Sequence, residues 1–471
     1  MTGSSLKFGT SGLRGLSVEL QGDAARRYTA AFIAHLRAQD NLGSGRVYLA
    51  RDLRPSSAGI AADCAAAIAA AGLVPIDCGV LPTPALALHA MAGNGAAIMV
   101  TGSHIPSDRN GLKFYTPRGE ITKDDEAGIA GALAAAEAAR GDVVAANEHD
   151  AAAARYAQRY ASLTTPELLA GWRVGVFEHS SVAREVLAQL LSGAGAEVLL
   201  LGRVNDFVAV DTEAFGDAVF APLSAWVAEH RLDAIVSADG DGDRPLLMDG
   251  QGNFVRGDVL GLLAAQFLGA DVVITPVTSN SAIERTGYFP KVERTRVGSP
   301  FVIAGMEQAV AAGGLRVVGF EANGGTLLGN DVTLNAVDLP ALPTRDAVLP
   351  LLAALAISAR AGQTVAQTVA ALPVRAALAN RLEHVPQERT ATFLTALQNS
   401  ADAEKFFAPI GMVGSLSALD GLQFTMANGD IVHYRASGNA PELRCYVEAA
   451  TLADAQALLD WGLAAAAQAV R

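Results

Sequence analysis

SSAGIAADCAAAIAAAGLVPI, running from Ser56 to Ile76, decides how the rest of the chain is read. An alanine-rich stretch opens behind a serine and ends at Gly72, and a β-branched apolar run follows at once. Serine suits a helix N-cap, glycine adopts the left-handed conformation that closes a helix, and Val74 and Ile76 favour a strand. The same order recurs in SVAREVLAQLLSGAGAEVLLL from Ser181 and in SPFVIAGMEQAVAAGGLRVVGF from Ser299, where Pro300 adds a proline at the first helical position. Helix followed by strand, three times over, predicts parallel or mixed α/β units. A spacing of roughly 120 residues is far longer than a solenoid repeat, so the pattern reads as three similar domains.

Strands are expected at 46–50, 96–100, 172–177, 233–238, 271–276 and 316–321, where β-branched and apolar residues run together. Ligands of such sheets gather at the carboxyl ends of the strands. Past residue 373 the rhythm changes, and LQFTMANGDIVHYRASGNAPELRCYVEA reads as hairpin strands around a glycine-bearing loop. The expected organisation is three α/β domains, 1–151, 152–257 and 258–373, and an α+β domain, 374–471.

Length and composition agree with this. Domains usually run to about 100 to 150 residues, so 471 residues hold three or four. A hydrophobic content of 51% with 6% aromatic rests largely on alanine, which excludes a disordered polar chain. Lys+Arg 35 against Asp+Glu 48 gives a net charge of -13 and argues against nucleic acid or an anionic membrane as partner. Cys64, Cys78 and Cys445 have neither metal-ligand spacing nor an even count, which fits a reducing compartment. MTGSSLKFGTSGLRG carries no basic region followed by an apolar one, so a cytoplasmic location is expected. Cys78 to Ser107 lacks Asp, Glu, Lys and Arg, but Pro82, Pro84, Gly93, Asn94 and Gly95 break it into pieces too short to cross a bilayer. Nothing in the sequence sets an oligomeric state.

Four loops carry candidate chemistry. Thr101-Gly102-Ser103-His104-Ile105-Pro106 follows the strand AAIMV, and Lys113 lies just beyond it. A serine there can be a nucleophile or part of an ordinary turn, and no GxSxG elbow is present. Asp239-Gly240-Asp241-Gly242-Asp243-Arg244 follows DAIVSA. In an extended segment alternate residues face one way, so the three carboxylates can converge on one hard cation, with oxygen ligands favouring magnesium or calcium over zinc. An EF-hand needs Gly at its sixth position and Glu at its twelfth, where this chain has Arg244 and Gly250; the site suits magnesium completed by a phosphate oxygen, with Arg244 on the same anion. Glu321-Ala322-Asn323-Gly324-Gly325 follows RVVGF and offers groups for sugar hydroxyls, or merely Asn-Gly turn chemistry. Arg435-Ala436-Ser437-Gly438-Asn439 combines guanidinium, hydroxyl, amide and backbone N–H groups into an anion cradle. Arg14 and Arg296 are further candidates for anion contacts.

Taken in order, FGTSGLRG, VTGSHIPSDRNGLKF, DGDGDR, GFEANGG and RASGNAPELRCYVE resemble the α-D-phosphohexomutase superfamily, in its phosphomannomutase/phosphoglucomutase branch, over essentially the full chain. The resemblance implies four domains around a central cleft, each giving one loop. It implies Ser103 as the phosphoserine, and Asp239, Asp241 and Asp243 as ligands of Mg2+ together with an oxygen of that phosphoserine. Lys113 and His104 would be acid/base candidates, and Arg14 and Arg244 would organise the reacting phosphate. Glu321, with Asn323 in the same loop, would read sugar hydroxyls. Arg435, Ser437, Gly438 and Asn439 would grip the non-reacting phosphate, assisted by Arg296.

The implied partner is a small sugar phosphate, converted between hexose 6-phosphate and hexose 1-phosphate with a hexose 1,6-bisphosphate as intermediate and activator. Mannose is the expected sugar, with glucose or dual specificity as the alternative. The chain departs from the family pattern at Ile105 for Asn, at Glu-Ala-Asn-Gly-Gly for Glu-Met-Ser-Gly-His, and at Asn439-Ala440 for Thr-Glu. An aspartate-nucleophile enzyme would need DxDx[TV], which Asp239-Gly240-Asp241-Gly242 does not supply. A silent sugar-phosphate sensor is the non-enzymatic alternative.

Overall fold

The computed structural model describes residues 4–9, 12–216, 218–334, 336–437 and 441–470. Backbone packing divides the chain into two compact units, residues 1–274 with 298–371, and residues 275–297 with 372–471. The stretch from Thr275 to Val297 is grouped with the C-terminal residues.

The three helix-glycine-strand segments fold alike. Helix Ser57–Ala70 ends where Gly72, at φ 72°, and Leu73 return hydrogen bonds to Ala69 and Ile68, and strand Val74–Val80 follows. Helix Arg184–Gly193 closes the same way through Gly195 and Ala196, and helix Ser299–Ala311 through Gly313 and Gly314.

The serines do not cap as expected. Ser56 holds the N-cap position without a side-chain cap, and its Oγ accepts from Asn110 Nδ2 at 2.8 Å. Ser181 lies ahead of its helix and donates to the Asp239 carbonyl at 2.8 Å. Ser299 is itself the first helical residue, which moves Pro300 to the second position, and Ser299 donates to Glu120 Oε2 at 2.9 Å. Tertiary partners engage all three hydroxyls, and Ser181 Oγ also accepts the Ala183 N–H at 3.2 Å just ahead of its helix.

Each of the first three sheets has a parallel core that turns antiparallel at one strand. In the first, Arg46–Arg51 runs parallel to Val74–Val80 and Ala96–Val100, and Arg109–Thr116 returns antiparallel beside Ala96–Val100 before Leu13–Leu16 adds on. In the second, Glu197–Arg203, Arg173–His179 and Ala234–Ala238 are parallel, and Pro245–Asp249 returns antiparallel. In the third, Val272–Pro276 and Val317–Phe320 are parallel, and Thr326–Leu328 returns antiparallel.

The serine, aspartate and glutamate loops occupy the same place in each sheet. Each is the turn from the last parallel strand to its antiparallel neighbour. The fourth sheet, in the order 376–382, 443–449, 431–436, 422–426, 413–417, is wholly antiparallel and packs with helices Gln387–Leu397, Ser400–Phe407 and Leu452–Ala469.

Apolar side chains fix the loops' supports. Phe32 and Phe114 meet at 4.7 Å between ring centroids in the first core, beneath the strand that carries Lys113. Each such ring contributes about 1.5–3 kcal/mol by leaving water. Cys64, Cys78 and Cys445 are buried and form no disulfide. Among the described residues no helix is long and apolar enough to cross a membrane.

Candidate active site

Ser103 sits in the left-handed region at φ 52°, a conformation costly for a residue with a Cβ, and is 1% exposed. Arg54 holds it there. Its guanidinium donates to the carbonyls of Ser103 (2.9 Å), Ile105 (2.6 Å), Pro106 (2.6 Å) and Arg109 (2.9 Å), and to Asp52 Oδ2 at 3.1 Å. Thr101 Oγ1 donates to the same Asp52 oxygen at 2.8 Å and accepts the Ser103 N–H at 2.7 Å. Gly102 leaves room for the clamp, since a Cβ there would lie 2.6 Å from the Arg54 Cζ. The Ser103 hydroxyl donates to Asp239 Oδ2 at 2.6 Å, which joins the serine and aspartate loops.

Asp239, Asp241 and Asp243 are fully buried, with oxygens from all three within 4.8 Å of one another. Asp239 Oδ1 accepts the N–H groups of Asp243 (3.1 Å) and Arg244 (3.2 Å), so it shapes its own loop. Thr83 and Lys113 each donate to Asp241 Oδ2 at 2.6 Å, and Lys113 also donates to Asp243 Oδ2 at 2.5 Å.

Asp241 Oδ1 and Asp243 Oδ1 remain buried without a hydrogen bond. Unsatisfied buried carboxylate oxygens are costly, and two of them beside a serine hydroxyl fit a hard divalent cation. Burial and the two neighbouring carboxylates push the Asp239 carboxyl well above its ordinary range. Burial acts the same way on Asp243, but Arg345 and Lys113 outweigh it and hold Asp243 low.

Cations line the same unit. Arg14, on strand Leu13–Leu16, faces Gly111 in register, and Gly111 and Lys113 share one face of their strand. Burial first, then Arg244 and Arg345, lower Arg14 to about 10. Against burial, Arg244 and Arg345 are themselves held high by Asp243, so Arg14 is the cation whose charge is left to a phosphate. His104 Nδ1 lies 3.4 Å from the Ser103 hydroxyl, and burial followed by Arg244 and Arg14 lowers the imidazole to about 2, so it is neutral. For Lys113, burial lowers the ammonium but Asp241 and Asp243 raise it further, so it is charged.

The glutamate loop reaches this cluster through a residue that sequence reasoning missed. Arg345, 1% exposed, donates to Glu321 Oε2 at 2.8 Å and to Asp243 Oδ2 at 2.8 and 3.1 Å. Asn323 spends its side-chain oxygen on the turn, accepting the Gly325 N–H at 3.0 Å. Asp52, Arg54, Thr83 and Arg345 were all absent from the expected site. RDLRP directly after the strand RVYLA, and Arg345-Asp346 between apolar runs, were the available signals: charge beside an apolar strand's end.

The C-terminal unit carries the remaining predicted residues. Arg435 donates to Asp420 Oδ2 at 2.8 Å, and the Val297 N–H donates to the same oxygen at 2.9 Å. Arg296 donates to the Leu419 carbonyl at 3.3 Å, so both predicted arginines meet one turn. Ser437 is buried, and its N–H reaches the Glu442 carbonyl at 3.0 Å. Gly438 and Asn439 lie outside the described residues.

A buried serine hydroxyl, a carboxylate trio fit for a hard cation and a set of guanidinium groups are the equipment of a phosphoryl transferase. The chain belongs to the phosphoglucomutase/phosphomannomutase family of the α-D-phosphohexomutase superfamily: its α/β/α domain I model matches residues 5–140, and its α/β/α domain III model matches residues 256–375. The chain is 48% identical over 465 residues to a phosphomannomutase of Sinorhizobium fredii, covering 97% of this chain and 98% of the relative. It is 42% identical over 456 residues to a phosphomannomutase of Salmonella muenchen, covering 96% and 94%. A solved phosphoglucomutase/phosphomannomutase family protein from Burkholderia thailandensis shares the fold, with a TM-score of 0.76, 22% identity and coverage of 98% and 97%. The chain is an enzyme, an intramolecular phosphotransferase.

Proposed function

We propose that the enzyme interconverts mannose 6-phosphate and mannose 1-phosphate through a phosphoserine at Ser103 and a mannose 1,6-bisphosphate, with Mg2+ as cofactor and a hexose 1,6-bisphosphate as activator. The observation that carries this reading is the Ser103 to Asp239 hydrogen bond, which sets a serine hydroxyl at the strand's end against the carboxylate trio. Similarity to two proteins named phosphomannomutase supports mannose as the sugar.

In the first half-reaction the sugar O1 attacks the phosphorus on Ser103. The P–O1 bond forms, the P–Oγ bond breaks, and the O1 proton ends on Oγ. In the second half, after the bisphosphate has turned over, the Ser103 hydroxyl attacks the 6-phosphate and loses that proton to O6. His104, whose Nδ1 lies 3.4 Å from Oγ, and Lys113 are the two candidates for moving the proton, and the Lys113 ammonium and Arg14 offset the charge of the phosphoryl oxygens. Asp239, Asp241 and Asp243 would hold Mg2+, which when bound neutralises a phosphoserine oxygen. Glu321 orients the sugar hydroxyls, and Arg435 and Ser437 with Gly438 and Asn439 take the phosphate that is not reacting, helped by Arg296.

A coupled assay with a trace of bisphosphate tests the sugar. Mannose 1-phosphate should turn over with the higher kcat/KM. A tenfold preference for glucose 1-phosphate, about 1.4 kcal/mol in the transition state, would overturn the assignment.

A further inference from the structure

The cation site and the sugar loop share one guanidinium. Arg345 places Nε and Nη2 on Asp243 Oδ2 and Nη1 on Glu321 Oε2, so three of its donors hold two carboxylates from different sheets. Both bonds to Asp243 fall on the same oxygen. The other, Oδ1, is left buried and without a hydrogen bond, 3.9 Å from the Arg244 Nε.

The surroundings are built for this fork. A Cβ at Gly325 would lie 2.7 Å from the Arg345 Cδ and 2.8 Å from its Cγ, so the glycine that replaces the family's His at the end of the sugar loop is the space that the Arg345 stem fills. Neighbouring strand residues point to opposite faces. On the far side, Asp346 accepts from the Tyr156 and Tyr160 hydroxyls and from the N–H groups of Val348 (2.7 Å) and Leu349 (3.2 Å). The strand beneath Arg345 is therefore pinned, and the guanidinium has a fixed origin.

We propose that Arg345 is a positioning residue that couples the sugar loop to the cation site, so that its bond to the Glu321 carboxylate sets how strongly Asp243 binds a cation. The inference rests on the proposed cation role of the three aspartates. While Arg345 holds the Glu321 carboxylate, its charge is shared with that group, and Asp243 keeps charge for the metal. When the Glu321 charge is removed, more of the guanidinium charge falls on Asp243 and competes with the cation. Coupling of this kind is reciprocal, so cation binding changes the hold on Glu321 equally.

The test reads Mn2+ binding by electron paramagnetic resonance on the full chain, without sugar. Asp241→Asn identifies the signal from the trio. Glu321→Gln, which removes a charge without touching a proposed ligand, should weaken Mn2+ by about threefold or more, within the range expected for groups in one network. In an Arg345→Lys background, where one ammonium reaches a single carboxylate, Glu321→Gln should have no further effect. Unchanged Mn2+ affinity in Glu321→Gln, or an equal change in both backgrounds, would overturn the coupling. Loss of any signal sensitive to Asp241→Asn would overturn the cation reading and the coupling together. The sugar assignment is judged separately, by the coupled assay.

Discussion

Replacing Arg54 by Met is the sharpest probe of how the nucleophile is held. The side chain is fully buried with Asp52, and its donors reach four carbonyls of the Ser103 loop. Methionine keeps much of the stem but strands a buried carboxylate, and breaking a buried pair from one side costs about 3–5 kcal/mol. Burial already raises the Asp52 carboxyl, against the pull of Arg54, Ser57 and Thr101, so without Arg54 it takes up a proton and the loss falls toward the lower figure. The chemistry suffers more than the fold. With the clamp gone, Ser103 leaves φ 52°, and a displacement on the order of 1 Å costs about a hundredfold in rate. Urea unfolding and steady-state turnover measure the two effects. The double variant Asp52→Asn/Arg54→Met should recover at least about 1 kcal/mol, because no carboxyl then has to be protonated to stay buried, yet recover none of the rate. Wild-type kcat in Arg54→Met, or rate recovered in the double variant, would refute the clamp.

Two further perturbations follow from the packing and the buried histidines. Gly325→Ala should destabilise the protein by about 1–3 kcal/mol, because its Cβ meets the Arg345 stem at 2.7 Å and the Asp243 carbonyl at 2.8 Å; an unchanged melting temperature would contradict that contact. His179 is 1% exposed, donates from Nε2 to the Ala238 carbonyl at 2.8 Å, and is lowered to about 4, chiefly by burial. Its folded value lies below the unfolded one, so the stabilisation is present above pH 6.5 and is lost as pH falls toward 4, by about 3 kcal/mol at 1.36 kcal/mol per unit. Stability of the wild type minus that of His179→Gln should narrow over that window in urea titrations, and parallel curves would exclude the histidine as the source.

The sheets were readable because their signals are local. A run such as AAIMV before a Gly-Ser turn has few other uses, and the observed strand, Ala96–Val100, coincides with it. The glycines that close the three helices were readable for the same reason, since only the backbone after the helix is involved. Ser56, Ser181 and Ser299 were misread because a hydroxyl's partner can be anywhere: theirs are Asn110, the Asp239 carbonyl and Glu120. The same rule separates the site residues. Ser103, the aspartates and Glu321 sit at strand ends, whereas Arg54 and Arg345 act through tertiary aim. Residue 325, a departure from the family pattern in the sequence, has its explanation in Arg345, twenty residues away and on another strand.

The central claim is that Ser103 carries the phosphoryl group. Incubated with hexose 1,6-bisphosphate and mapped by phosphopeptide mass spectrometry, the wild-type enzyme should hold one acid-stable phosphate on Ser103, replaced by the substrate's own phosphoryl group on adding phosphate-labelled mannose 6-phosphate, and Ser103→Ala should fold, take up none and turn over nothing. Phosphate on Asp239 in place of Ser103, or continued turnover by Ser103→Ala, would contradict the account.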